Sequence, residues 1–204
     1  FASVFFHKRQ RRGYTLHEAK KIMQERNYYG SMMVETGEAD ALISGLTRKY
    51  PDTIRPALEI IGTQEGVNRV AGMYIMLTKK GPFFFADTTV NVSPSVDDLV
   101  DITALTAKVV QEFNVQPRIA LLSYSNFGSS DGEEPKKVRK AVAVLHEKYP
   151  GMIVDGEVQA NFALNRDLLK DNFPFSNLVK GGTNTLIFHN LESGNIAYKL
   201  LQEM

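Results

Sequence analysis

The feature that most constrains the fold is a short, uninterrupted apolar run from Ile119 to Leu122, which lies between two amphipathic helical patterns. The first pattern spans about 95–113 and the second runs from Pro135 to Tyr149. Strands that are apolar on both sides are typical of parallel sheets, because helices cover both faces of such sheets. The sequence therefore predicts a layered α/β fold with a mostly parallel sheet flanked by helices.

The rest of the chain supplies further helices and strands in alternating order. Thr15 followed by Glu18 is a capping-box signature, and Asp52 after Pro51 can cap another helix. Two apolar segments joined by a glycine-containing turn predict a hairpin. The predicted helices cover about 15–26, the segment after Asp52, 95–113, 135–149, part of 159–170 and 194–203. The predicted strands or strand-like segments are 32–35, 39–44, 69–78, 83–86, 118–124, 152–155 and 185–188.

Composition excludes several kinds of chemistry. The 204 residues include no cysteine, so disulfides, thiolate nucleophiles and cysteine-ligated metals are excluded. The four histidines have no metal-ligand spacing, and we expect no metal site. A formal net charge of +1 does not suit a nucleic-acid partner. No apolar run approaches the roughly 18 residues of a membrane span, and no signal peptide is visible, so we expect no membrane partner and a cytoplasmic location.

Small hydroxyl and amide side chains follow several of the predicted strands. Ser44 and Gly45 end one segment, Ser123 and Ser125 follow the apolar strand, and Asn190 follows the last strand. Ligands of open α/β sheets bind beyond the carboxyl ends of the strands. This pattern suits a ligand that carries phosphate or carboxylate groups, although serine, asparagine and glycine also populate ordinary turns.

Arg55 is the cation that we single out as a candidate anion ligand. It lies in the first turn of its predicted helix, where the helix dipole is already positive and a cation gains nothing from it. A bound anion would explain its presence there. The alternative is an exposed arginine whose aliphatic stem covers apolar neighbours.

The chain lacks the usual short signatures of phosphate-binding loops, dinucleotide sites, zinc proteases and serine hydrolases. It instead resembles the phosphate acetyl/butyryltransferase family over nearly its whole length and in collinear order. The residues that carry the resemblance lie in seven blocks, at 27–34, 37–45, 52–58, 85–91, 120–125, 154–159 and 190–199.

The resemblance implies a two-lobed architecture similar to isocitrate and isopropylmalate dehydrogenases. Residues 1–118 would form part of the first lobe, without its N-terminal portion, and 119–204 would form the second lobe. The second lobe would stop before the family's C-terminal segment, which carries an essential aspartate and a partner arginine. Proteins of this family usually form dimers, so the resemblance also implies a homo-oligomer.

The resemblance further implies acetyl transfer between coenzyme A and phosphate, with acetyl-CoA, coenzyme A, phosphate and acetyl phosphate as ligands and no metal. Arg55 matches an arginine of the family's active cleft and would contact the phosphate or coenzyme A anion. The other residues that the resemblance places in this cleft, as coenzyme-binding residues, are Ser44, Gly45, Thr47, Ser123, Ser125, Asn190, Glu192 and Asn195.

Two loops, at 46–51 and 125–130, are most similar to the transferase-like C-terminal region of hybrid NADP-dependent malic enzymes. The first hypothesis is therefore a regulatory module that binds acetyl-CoA and controls a malic-enzyme domain of the same chain. NADP and a divalent metal would bind only that separate domain. The second hypothesis is a catalytically active phosphate acetyltransferase, and the third is an oligomerisation platform alone.

Overall fold

The computed structural model describes residues 1–65, 67 and 69–204. The chain divides into two compact units, Phe1–Gly66 (the N-terminal unit) and Val67–Met204 (the C-terminal unit). This division differs from the lobe boundary at 118/119 that the resemblance implies. The reason is that one sheet contains strands from both sides of position 118, so a boundary there would cut through the sheet.

The regular structure of the N-terminal unit, over its described residues, is helical. Its helices are α1 (Ala2–Arg9), α2 (Leu16–Ile22), α3 (Arg26–Glu35) and α4 (Tyr50–Ile60). Their core consists of the buried side chains of Phe5, Ala19, Met23, Met32 and Ile60. The predicted capping box is confirmed: Thr15 accepts a hydrogen bond from the Glu18 N–H, and Glu18 accepts one from the Thr15 N–H.

The two strand-like segments predicted in this unit are wrong. Residues 32–35 complete α3, and 39–44 form an irregular loop. The side chain of Glu25 accepts hydrogen bonds from the N–H groups of Asn27 and Tyr28, so that α3 starts at Arg26, well before the apolar run. In the loop, Leu42 lies over α3 so closely that a Cβ on Gly30 would be 2.8 Å from Leu42 Cδ1. Leu42 therefore contacts a helix and is not part of a sheet, whereas Ile43 is 98% exposed.

The helix predicted near Asp52 is present as α4, but Asp52 is not its cap. The helix begins at Tyr50 after Lys49, and Pro51 occupies the first turn. Proline fits there because its missing N–H would have no partner within the helix. Asp52 lies in the same turn, where its charge complements the helix dipole.

Within its described residues, the C-terminal unit contains a five-stranded sheet of order β1-β2-β5-β3-β4. Its strands are β1 (Met73–Thr78), β2 (Gly81–Ala86), β3 (Arg118–Leu122), β4 (Ile153–Val158) and β5 (Thr185–Ile187). Strands β1 and β2 form the predicted antiparallel hairpin, and the pairs β2–β5, β5–β3 and β3–β4 are parallel. The last strand in the chain thus lies between two earlier ones.

Helices cover both faces of this sheet, as predicted. They are α5 (Val96–Glu112), α6 (Glu133–Lys148), α7 (Ala160–Leu164), α8 (Arg166–Asn172) and α9 (Leu191–Glu203). Ile119 and Leu121 pack into a core with residues of α5 and α6, whereas Ala120 and Leu122 pack into a second core that includes Leu169 and Leu178. The apolar run is therefore buried on both sides, and the prediction of a mostly parallel sheet flanked by helices is confirmed.

Helix α9 lies very close to the residue that follows β2. A Cβ built on Gly194 would be 2.5 Å from the carbonyl oxygen of Asp87 and 3.2 Å from Phe188 Cγ. Only a glycine leaves room for this backbone approach. The contact therefore fixes the first turn of α9 against the carboxyl end of the sheet.

We expect Gly194→Ala to lower the free energy of unfolding by about 1–3 kcal/mol, the usual cost of overpacking. The loss should appear even though alanine favours a helix over glycine by up to about 1 kcal/mol. Urea unfolding of the full-length protein measures it. Gly151→Ala is the matched control, because a Cβ there has no atom within 4 Å. Equal midpoints for the two variants would contradict the expected close contact.

None of the helices in the described part of the chain is both long and apolar enough to cross a membrane.

Candidate functional site

A pocket of about 440 Å³ in the N-terminal unit contains three of the predicted ligand residues, Ser44, Gly45 and Thr47. The N-terminal turn of α3 holds the loop that carries them. Ser44 Oγ donates a hydrogen bond to Asn27 Oδ1 at 2.7 Å, and Arg26 Nη2 donates one to Thr47 Oγ1 at 2.6 Å. Gly45 has a φ of +123°, a backbone conformation that side chains disfavour. The loop therefore has a defined path, and its small residues border the pocket.

Asn27 connects the elements around this pocket. Its side chain is buried, and its Nδ2 donates a hydrogen bond to the backbone oxygen of Asp52 in α4 at 3.2 Å. Together with the bond from Ser44, this contact joins α3, the loop and α4. We did not single out Asn27 from the sequence, because nothing local distinguishes a buried asparagine from an exposed one.

Arg55 lies on α4 in the same unit and is exposed. Glu59, one helical turn later, is occupied by other partners: it accepts hydrogen bonds from Tyr28 Oη at 2.7 Å and Tyr14 Oη at 3.4 Å, and Arg9 approaches it at 3.9 Å. Over the described residues, Arg55 makes no ion pair of its own. Its guanidinium is therefore available to an anion.

The electrostatics of Tyr28 show that Arg55 lies close to this cluster. Burial and the hydrogen bond to Glu59 raise the pKa of Tyr28 far above its ordinary value, and the charge of Arg55 acts in the opposite direction. Burial and Glu59 also raise the pKa of Tyr14, and the charges of Arg9 and, to a smaller extent, Arg55 act in the opposite direction. Both tyrosines remain neutral hydrogen-bond donors near neutral pH. They hold Glu59 and leave Arg55 as the nearby cation without a carboxylate partner.

Asp87, directly after β2, organises the first loop at the carboxyl edge of the sheet in the C-terminal unit. Its side chain is buried and accepts hydrogen bonds from the N–H groups of Gly72, Thr89, Val90 and Asn91 at 2.6–3.1 Å. A fifth bond comes from Asn91 Nδ2 at 2.5 Å. From the sequence, the segment 87–91 is one of the polar strand ends and lies in one of the seven blocks, but no role is predicted for Asp87 itself. The carboxylate fixes the loop that follows β2.

A second pocket, also of about 440 Å³, lies at the start of α9 in the C-terminal unit. It is lined by the predicted residues Asn190, Glu192 and Asn195. Asn190 Oδ1 accepts a hydrogen bond from the Ser193 N–H at 2.9 Å and caps the helix. Asn195 Nδ2 donates to the backbone oxygen of Thr88 at 3.2 Å. These two side chains shape the pocket, and Glu192 is exposed beside them.

The segment Ser123–Ser130, which we call the serine loop, follows β3 at the same edge of the sheet and contains the predicted residues Ser123 and Ser125. Ser123 Oγ accepts a hydrogen bond from the Ser125 N–H at 3.2 Å. Ser125 is 1% exposed, and its Oγ donates to Glu157 Oε1 at 2.9 Å and lies 3.0 Å from Ser129 Oγ. Ser125 therefore supports the serine loop from inside, whereas Ser123 is half-buried.

Glu157, in β4, is the centre of this support and is completely buried. Arg139 of α6 donates to it through Nε and Nη2, both at 3.0 Å, and the Gly128 N–H donates at 2.8 Å. Burial alone would raise the pKa of this carboxyl, but the hydrogen bonds from Arg139, Gly128 and Ser125 outweigh it and lower the pKa. Glu157 is therefore ionised at neutral pH.

Sequence reasoning missed Glu157 and Arg139. The one available signal was an ionisable residue inside a buried strand, which is rare unless the charge has a partner. The partner lies 18 residues earlier on a helix face, at no characteristic spacing.

His189 follows β5 at the same edge and is half-buried. Burial lowers the pKa of its imidazole, with Glu134 and Lys137 acting in opposite directions. The ring is therefore mainly neutral at neutral pH. The described residues contain no group of three or more His, Cys, Asp or Glu side chains that could hold a metal ion.

Comparison with known proteins identifies the family. The model of the phosphate acetyl/butaryl transferase family matches residues 1–204. The phosphate acetyltransferase of Bacillus subtilis (strain 168) is 39% identical over 93% of this chain and 58% of its own length. The NADP-dependent malic enzyme of Escherichia coli (strain K12) is 37% identical over 97% of this chain and 26% of its own length.

Solved structures agree with this result. The EutD phosphotransacetylase from Staphylococcus aureus has a TM-score of 0.85 at 32% identity. The match covers 99% of this chain and 62% of the chain of that structure. A phosphotransacetylase from Streptococcus pyogenes has a TM-score of 0.87 at 36% identity, with coverages of 95% and 59%. The chain thus spans less than two thirds of the length of these relatives. The family model and both kinds of relative confirm the resemblance found in the sequence, and the chain belongs to the phosphate acetyl/butaryl transferase family.

Proposed function

We propose that this chain is part of a phosphate acetyltransferase, which moves an acetyl group between coenzyme A and phosphate. Of the two hypotheses that involve acetyl-CoA, the phosphate acetyltransferases among the relatives support this one more strongly. The observation that carries the proposal is Arg55, an exposed guanidinium without an ion pair among the described residues. The homo-oligomeric, isocitrate dehydrogenase-like assembly that the resemblance implies is part of the same proposal.

The reaction requires the thiolate of coenzyme A to attack the carbonyl carbon of acetyl phosphate. The new C–S bond forms, the C–O bond to the phosphoryl group breaks, and phosphate leaves with that electron pair. A guanidinium binds two phosphoryl oxygens at once through parallel N–H groups. Arg55 would therefore bind acetyl phosphate and stabilise the negative charge that grows on the leaving phosphate.

The neighbourhood of Arg55 suits that role. The two neutral tyrosines donate hydrogen bonds to Glu59, and Arg55 has no carboxylate partner among the described residues, so a bound anion would not have to displace one. We assign the pocket beside Ser44, Gly45 and Thr47 to the same substrates. The small side chains and the positive φ of Gly45 let a ligand approach the loop backbone closely.

The test is a thiol assay on the full-length protein. With acetyl phosphate and coenzyme A, we expect free thiol to disappear with multiple turnovers, and with acetyl-CoA and phosphate we expect thiol to be released. The reaction should proceed without added metal in the presence of a chelator. Absence of turnover in both directions would overturn the proposal.

One observation favours a second candidate, the regulatory module. The E. coli NADP-dependent malic enzyme matches 97% of this chain. In that case the chain would bind acetyl-CoA as a regulatory ligand and act on a malic-enzyme domain of the same protein, which would hold NADP and the metal. The same experiment separates the two candidates, because this one expects binding of acetyl-CoA without thiol release.

A further inference from the structure

The buried charge of Glu157 has no part in the proposed function, and its surroundings call for an explanation. The carboxylate is inaccessible to solvent and pairs with Arg139 through two hydrogen bonds. A buried ion pair contributes little net stability, because removing both charges from water offsets much of their attraction. Such a pair does, however, fix the direction of every group that it binds. The hydrogen bonds of the Glu157–Arg139 pair therefore indicate which groups it positions.

The groups that it positions belong to the serine loop. Glu157 accepts the Gly128 N–H with its carboxylate and the Phe127 N–H with its backbone oxygen, at 2.8 and 2.7 Å. Phe127 and Gly128 both have positive φ angles, +44° and +97°. Phenylalanine rarely adopts this conformation, so the turn depends on contacts that hold it. Arg139 adds a third contact, from Nη2 to the Ser130 carbonyl oxygen at 3.0 Å.

The remaining amides of the turn also point inward. The Asn126 N–H donates to Ser129 Oγ at 2.9 Å, and the Ser129 N–H donates to the Asn126 oxygen at 3.0 Å. Together with Phe127 and Gly128, four successive residues have no amide left for a ligand. Inorganic phosphate is usually bound by such backbone amides or by cations. The serine loop contains no Lys or Arg, and the charge of nearby Arg139 is matched by Glu157.

The serine loop presents an aromatic ring instead. Tyr124 is 60% exposed, and its hydroxyl lies 3.2 Å from Ser130 Oγ, which fixes the ring from its far end. A tyrosine whose ring is exposed and whose hydroxyl is fixed by a hydrogen bond suits a ligand with a planar or apolar part. The ring offers contact area with little loss of conformational freedom. Of the two substrates of the proposed reaction, only the acyl-CoA has such parts.

We propose that Glu157 and Arg139 form a positioning pair that sets the serine loop to bind the coenzyme A part of the acyl-CoA substrate, with Tyr124 as the contact residue. This inference rests on the proposed function for the identity of the substrate. It assigns the serine loop to acyl-CoA.

The experiment compares four variants of the full-length protein, Arg139→Lys and the three that follow, with wild type. Glu157→Gln keeps the shape but removes the charge that holds Arg139, and Tyr124→Ala removes the exposed ring without disturbing the buried pair. Lys140→Ala, at the exposed position next to Arg139 on α6, is the matched control. KM and kcat are measured separately for acetyl-CoA and for phosphate, and Kd for coenzyme A is measured by calorimetry.

We expect Glu157→Gln and Tyr124→Ala each to raise the KM for acetyl-CoA about tenfold and the Kd for coenzyme A by a similar factor, as for the loss of one good contact. The KM for phosphate and the kcat should stay within twofold. Arg139→Lys, which keeps the positive charge but loses the paired N–H geometry, should give an intermediate rise. Lys140→Ala should leave every parameter unchanged.

Two results would overturn the inference. One is an unchanged Kd and KM for the coenzyme in Tyr124→Ala, which is exposed and should fold even if Glu157→Gln does not. The other is a parallel fall of kcat and of both substrate affinities in Glu157→Gln, which indicates a general structural role. If wild type binds coenzyme A without turnover, the proposed function fails, and the Kd values of the variants still decide this inference.

Discussion

Replacing Arg55 with glutamine should lower kcat/KM for acetyl phosphate at least a hundredfold. The guanidinium is expected to bind the phosphoryl oxygens and to stabilise the charge that develops on them, and the loss of one such donor costs about 3–4 kcal/mol of transition-state stabilisation. At about 1.4 kcal/mol per factor of ten, that loss corresponds to two or three orders of magnitude in rate. Arg55→Lys keeps the charge but loses the paired N–H geometry, and should be less impaired.

The structure also indicates what Arg55→Gln should leave unchanged. Arg55 is exposed and carries no ion pair among the described residues, so the thermal midpoint should stay within about 2 °C, as for most surface substitutions. Arg12→Gln, an exposed cation of the same unit, serves as the control and should retain full activity. A variant Arg55→Gln with wild-type kcat/KM would show that another group binds the phosphoryl anion, and would remove the observation that carries the proposed function.

Replacing Asp87 with alanine should lower the free energy of unfolding by about 3–5 kcal/mol. The substitution leaves the amides of Gly72, Thr89, Val90 and Asn91 without their acceptor in a buried site. Each unpaired buried donor costs about 1–3 kcal/mol, although water that enters the space of the lost carboxylate can satisfy some of them. Asp87→Asn keeps one acceptor oxygen and should lose less.

Urea unfolding of the full-length protein, followed at several wavelengths, measures this change. Asp171→Ala is the control, because Asp171 is an exposed carboxylate near the end of α8 and its removal should shift stability by no more than about 0.5 kcal/mol. If Asp87→Ala unfolds at the same urea concentration as the control, the loop after β2 does not depend on the carboxylate.

The elements that could be predicted from the sequence are those with a strong local signal. The predicted capping box at Thr15 starts α2, and the amphipathic pattern at about 95–113 forms α5. The apolar run at 119–122 packs into one core on each face of the sheet, as a strand of a parallel sheet requires. Each of these signals is carried by residues that lie within a few positions of one another. They survive in the folded protein because tertiary contacts reinforce them.

Other elements depend on contacts that have no local signal. The apolar run at 32–35 is too short to distinguish a strand from a helix by periodicity, and Glu25, which caps α3, is not a preferred capping residue. The support of the serine loop requires Arg139 and Glu157 to meet across a helix and a strand. Of the site residues, Ser44, Thr47, Ser123 and Arg55 lie at half-buried or exposed positions, whereas Ser125 is buried.

The position of β5 has a consequence for the order in which the C-terminal unit can assemble during synthesis. Residues 185–187 pair with β2 on one side and with β3 on the other, about 100 and 66 positions earlier in the chain. Until the ribosome has released that segment, β2 and β3 each keep one open row of backbone donors and acceptors, which other chains can join. Nascent copies of this unit therefore keep these two strand edges open until residues 185–187 have been made.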